Sequence, residues 1–142
     1  MGYSDVQKEV TQVVTDSLET TGDKLALGFK RPGVVLGWGL TCTVLRGSPA
    51  TDPVLALDHD PAGAGARVEK DSFTLADATA LGTTIERSEL MRGRSPVAPN
   101  AAFSAFDVIE GDLVFIEVTT AETAATAGAV VFYILWAPKG AP

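Results

Sequence analysis

The chain has 142 residues, 46% hydrophobic and 20% charged, with a formal net charge of −7 at pH 7. That is the size and make-up of one globular domain, too apolar for a disordered chain and too acidic for a general nucleic-acid binder or for adsorption to an anionic membrane. The single cysteine, Cys42, excludes a disulfide-built scaffold.

The opening segment, residues 1–20, is polar and acidic. It carries Asp5, Lys8, Glu9, Asp16 and Glu19 with no apolar run of secretory type, so the expectation is a soluble protein made in a cytoplasm. Val6, Val10, Val13 and Leu18 fall near helical spacing, yet threonines and β-branched valines make a poor helix interior. An extended arm or edge strand is favoured over a short helix. Thr20-Thr21-Gly22-Asp23 then punctuates the chain as a turn, and residues 21–142 are expected to form the folded domain.

Alternation is clear from there on. Leu25, Leu27 and Phe29 share one side of a strand that ends at the Lys30-Arg31-Pro32-Gly33 turn. Val34 to Leu45 is the longest strand expected. Val34, Leu36, Trp38, Leu40, Cys42 and Val44 form its apolar face, with Gly37, Gly39, Thr41 and Thr43 opposite. The two glycines permit close approach of a neighbouring strand or subunit. Residues 47–53 read as a loop, 54–59 as a strand, and 61–65 as a Pro-Gly loop. Residues 68–76, 83–90 and 103–109 carry further strand signals, with an irregular stretch at 91–100 and a turn at Glu110-Gly111-Asp112. Two long apolar strands, 113–119 and 129–137, close the pattern around a small-residue loop at 120–128. The longer of them is about half of what a membrane-spanning helix requires. Eight or nine short strands without crossover helices predict an all-β, antiparallel β-sandwich.

Chemistry-bearing motifs are few. Asp58-His59-Asp60 holds the one histidine between two carboxylates, but neighbours on a strand point to opposite faces and cannot converge on one ion. No G-x-S-x-G elbow is present, Gly63-Ala-Gly65 is not followed by the Lys-Ser/Thr of a phosphate loop, and Cys42 lies on an apolar face as a buried thiol. Trp38 and Trp136 read as core residues. Arg87, Arg92 and Arg94 form the local basic cluster of an acidic chain, suited to an acidic partner surface or to plain solvation. No enzyme activity, metal or cofactor is expected.

A resemblance gives these features a context. A short arm leads to Thr21-Gly22-Asp23-Lys24-Leu25-Ala26-Leu27, then to Pro32-Gly33 before a long apolar strand; the chain closes with Glu110-Gly111-Asp112, a strand, Thr126-Ala127-Gly128 and a strand. This resembles the small virion structural proteins of tailed bacteriophages, of the head decoration or cement type. The resemblance spans most of the chain from about residue 10 and matches least over residues 60–100. It implies a jelly-roll-like sandwich, commonly trimeric, that sits on the outer surface of a phage head, contacts the major capsid protein and reinforces the shell. It carries no catalytic residues. The partner-contact residues expected on this reading are Val6, Val10 and Val13 of the arm, with Arg87, Arg92 and Arg94. Two other classes fit the same architecture. A carbohydrate- or receptor-binding module of a phage tail or fibre would want aromatic residues in its loops, and a cupin-like enzyme would want several histidines.

Overall fold

The computed structural model describes residues 6–10, 14–15, 18–44, 49–75, 84–89, 103–124 and 129–139. Every strand pairing in it is antiparallel. In chain order the strands are β1 (Gln7–Val10), β2 (Val14–Thr15), β3 (Gly22–Gly28), β4 (Gly33–Val44), β5 (Pro49–Thr51), β6 (Val54–Asp60), β7 (Val68–Thr74), β8 (Thr84–Ser88), β9 (Phe106–Val108), β10 (Leu113–Thr120), β11 (Thr123–Ala124) and β12 (Ala129–Pro138). A six-stranded sheet runs β1-β12-β4-β8, with β2 also on β12 and β9 also on β4. A four-stranded sheet runs β3-β10-β6-β7. The two stack as a β-sandwich, the expected fold class.

The core lies between the sheets. Trp38, Leu40, Ile85, Val130, Phe132 and Ile134 come from the larger sheet, Leu55, Leu57, Phe73, Val114, Ile116 and Val118 from the smaller. Their period-two spacing places them on the inward face of each pleated strand. At about 25 cal/mol per Å² of apolar surface removed from water, this layer is the main source of stability.

β12 differs from the other strands. Phe132 and Ile134 face the core, while Tyr133, Leu135 and Ala137 are buried on the opposite face with Leu36. Among the described residues, Val6, Val34 and Ala105 pack on that second layer. Burial on both sides explains why its sequence is an unbroken apolar run rather than an alternation.

The opening segment takes its favoured edge-strand form over Gln7–Val10, which pairs with Trp136 to Tyr133. Three expectations need correction. The apolar face of β4 is not continuous: Gly37 pairs with Leu135 and Val35 with Trp136, which leaves Leu36 as an extra residue in a β-bulge. The bulge flips the alternation. Val35 therefore joins the core, and Val34 and Leu36 turn to the other face. The loops at 47–53 and 120–128 are partly strand, because β5 and β11 pair with each other as a two-stranded ribbon. The strand expected over 103–109 shrinks to Phe106–Val108. The irregular stretch expected at 91–100 lies outside the described residues.

The glycine pair of β4 meets a neighbouring strand of its own chain. A Cβ on Gly37 would run into Ser88 and the Arg87 carbonyl, and one on Gly39 into the Ile85 carbonyl and the Tyr133 hydroxyl.

Candidate functional site

The Asp58-His59-Asp60 triplet splits as strand geometry requires. Asp58 lies on the outer face of the four-stranded sheet, opposite Phe115 on β10. His59 turns the other way, where its Nε2 meets Asp112 Oδ2 at 2.9 Å and its ring lies beside Phe106. Asp60 accepts the Gly65 amide on both carboxylate oxygens, at 2.9 and 3.1 Å, and so closes the loop in which Ala62, Gly63 and Gly65 adopt positive φ. Asp112 also accepts the amides of Ala62 (2.8 Å) and Ile109 (3.0 Å). Burial works against its charge, but the two amides and His59 overcome this and hold the carboxyl below its ordinary value. Asp60, and His59 through Asp112, fasten two loops, while Asp58 takes no part in this. Among the described residues, no group of three or more His, Cys, Asp or Glu could hold a metal ion.

A second polar cluster occupies the outer face of the smaller sheet. The Arg67 guanidinium grips Asp23 through two bonds of 2.7 Å, lies 3.7 Å from the centre of the Phe115 ring, and comes within 3.8 Å of Asp58. The forked pair is the strong form of this contact, and the planar cation shields the aromatic face. Asp23 is held below its ordinary value, first by its hydrogen bond to Arg67. Asp58, only 6% exposed, is pushed up to about 6, first by burial and then by its hydrogen bond and proximity to Glu117. Arg67 follows a Gly-Ala loop and has no periodic context, so nothing local in the sequence marks it as the hub.

A third cluster passes between the sheets. Asp71 on β7 accepts Arg87 Nε (2.6 Å), Arg87 NH2 (2.7 Å) and Trp38 Nε1 (2.8 Å). Arg87, on β8, therefore carries its charge inside the sandwich at 7% exposure rather than on a docking patch. On the far face of the same sheet, Tyr133 donates to Glu86 at 2.6 Å across Gly39, and Ser88 donates to the other Glu86 oxygen at 2.7 Å. Burial, then the neighbouring carboxylate, raises the Tyr133 phenol, which stays protonated. Trp38 and Cys42 are both buried, as expected.

The remaining residues expected at a partner interface are divided. Val6 packs on the outer apolar layer of the larger sheet, whereas Val10 is 52% exposed at the end of β1. Lys8 reaches back over the Tyr133 ring at 4.2 Å and pins the strand down. Val13, Arg92 and Arg94 lie outside the described residues. The arrangement can brace a sheet surface and present a strand edge, with Asp23, Asp60, Asp71, Glu86 and Asp112 engaged in fastening loops and strands. No protein-family model and no curated protein matches the sequence of the chain.

Proposed function

We propose that the protein is a non-enzymatic virion structural protein, a decoration or cement protein that binds the outer surface of a phage head and stabilises the shell. Its partner on this reading is the major capsid protein, and its working form is a homotrimer of jelly-roll-like sandwiches. The resemblance set out above supports it, and one observation carries it furthest: the position of β1 at the border of the larger sheet. Beyond β1 the described residues hold no further strand. Such an edge turns main-chain donors and acceptors outward and can take up a strand from a neighbour. A body braced on both outer faces gives that edge a firm support. Many copies on one lattice gain by multivalency what a single contact lacks.

The test is made on purified particles of the phage that encodes the chain. Electron cryomicroscopy is expected to place the sandwich in threefold clusters on the outside of the head, and shells stripped of it are expected to come apart at lower temperature. Absence from the particle, or equal heat resistance with and without it, overturns the reading.

A further inference from the structure

Where the turn between β3 and β4 meets the end of β12, the surface folds into a cavity of about 530 Å³. Arg31, Pro32, Asp107, Val108, Ile109 and Lys139 line it. Its floor is rigid, because Gly33 pairs with Val108 on one side and with Pro138 on the other, and the Lys139 amide donates to the Pro32 carbonyl at 3.0 Å.

Two independent observations give this cavity a chemistry. The first is apolar: Ile109, at 60%, is the most exposed large hydrophobic side chain among the described residues, and it stands beside Pro32 and Val108. The second is electrostatic. In a chain of net charge −7, the cavity gathers two cations against one carboxylate. Arg31 is exposed and has no side-chain partner among the described residues. Lys139 sits on Asp107 at 2.8 Å, with the two side chains 54% and 65% exposed. An exposed pair of that kind contributes little and opens readily.

We propose that this groove docks a partner polypeptide through a short segment in which a carboxylate stands next to an aliphatic side chain. The aliphatic group lies on Pro32 and Ile109. Arg31 takes the carboxylate in its planar fork, and Lys139 turns from Asp107 to join it. Charge complementarity selects this occupant, since the groove sets two cations against one carboxylate on a chain of net charge −7. The identity of the partner as the capsid protein rests on the reading above; the chemistry of the groove does not.

The experiment titrates the isotopically labelled full chain with the capped peptide Gly-Leu-Glu-Val-Gly and with its Gln counterpart. The Glu peptide is expected to move the Val108 and Ile109 methyl signals and the Arg31 side-chain N–H, and to bind about fivefold more tightly than the Gln peptide. Asp107→Asn removes the one acid of the groove and is expected to tighten binding about threefold, whereas Arg31→Glu with Lys139→Glu weakens it at least about tenfold. All three positions are exposed, and near-ultraviolet circular dichroism verifies that each variant is folded. Equal shifts with both peptides, no shifts at millimolar peptide, or undiminished binding to the doubly reversed variant overturns the proposal. So does self-association that depends on Arg31 and Lys139, which would make a second copy the occupant. In a parallel arm, failure of the wild-type chain to bind assembled shells sinks the capsid reading while the titration still decides the groove. Shells that bind wild type and the doubly reversed variant alike sink the groove and leave the capsid reading standing.

Discussion

Asp58 is surrounded mostly by its own kind. Burial and the carboxylates of Glu117 and Glu69 favour its protonated form, against the single pull of Arg67, which is itself committed to Asp23. Its folded value of about 6 lies above the ordinary 3.8, so the folded chain holds an extra proton in between. The stability this confers is fully present below pH 3.8 and is lost as pH rises through about 6. Asp23 and Asp112, both held low, act in the opposite sense: their contribution is present above pH 3.8 and is lost as pH falls below it. Asp58→Asn keeps a donor toward Glu117 without the charge. Thermal melts followed by circular dichroism are expected to show wild type losing stability between pH 4.5 and 7 while the variant stays level. The gap above pH 7 is on the order of 1 kcal/mol once solvent screening is allowed for. Parallel curves would refute this account. At this scale the sequence was partly readable. The opposite facing of Asp58 and His59 follows from strand alternation alone, but Arg67 and Glu117 meet Asp58 only through pairings that no local pattern announces.

Among the elements, β4 and β8 make the sharpest case. Gly39 lets the Tyr133 ring cross β4 to reach Glu86, and it lets β8 lie close, because a Cβ there would strike the Ile85 carbonyl and come within 2.8 Å of the Tyr133 hydroxyl. Gly39→Ala is expected to cost about 1–3 kcal/mol by forcing β8 and Tyr133 apart. Gly28→Ala is the control, since its Cβ would meet only Leu113 at an ordinary 3.4 Å, and it is expected to be neutral. Melting temperatures of the two variants decide the matter; equal losses would mean that close approach is not the reason for Gly39. The glycines were visible in the sequence as a permission, but not as a place for a tyrosine. The bulge at Leu36 was invisible for a related reason. One extra residue leaves hydrophobicity unchanged, and only the register against β12 reveals it. The β5–β11 ribbon was equally hidden, because it is only two or three residues long and its Pro and Ala are poor strand formers, a preference that pairing at a distance overrides.

For the whole molecule, the fold class was legible from period-two spacing, whereas strand order was not. The chain changes sheet repeatedly, between β2 and β3, β3 and β4, β4 and β6, β7 and β8, β9 and β10, and β10 and β12, so most neighbours in a sheet are distant in sequence. Tertiary contacts set that order. The Asp71–Arg87 pair ties the border strands β7 and β8, one from each sheet, and it takes in Trp38 as well. Arg87→Met would leave Asp71 charged and buried with only the indole N–H, at an expected cost of about 3–5 kcal/mol. Adding Asp71→Asn removes the stranded charge and keeps an acceptor for Trp38, so the double variant is expected to recover most of the loss in urea titrations. A double variant no more stable than Arg87→Met alone would show that the charge pair is not the source of the loss.

The place of β12 between β1 and β4 has a consequence for how the protein is made. A ribosome delivers β1 and β4 long before residues 129–138, so both must wait, half-assembled, for the strand that joins them. Until it emerges, the nascent polypeptide exposes greasy surface and open backbone edges that invite chaperones. A product cut short before residue 129 can never close its larger sheet, and protein quality control can tell it from a finished chain by that gap alone.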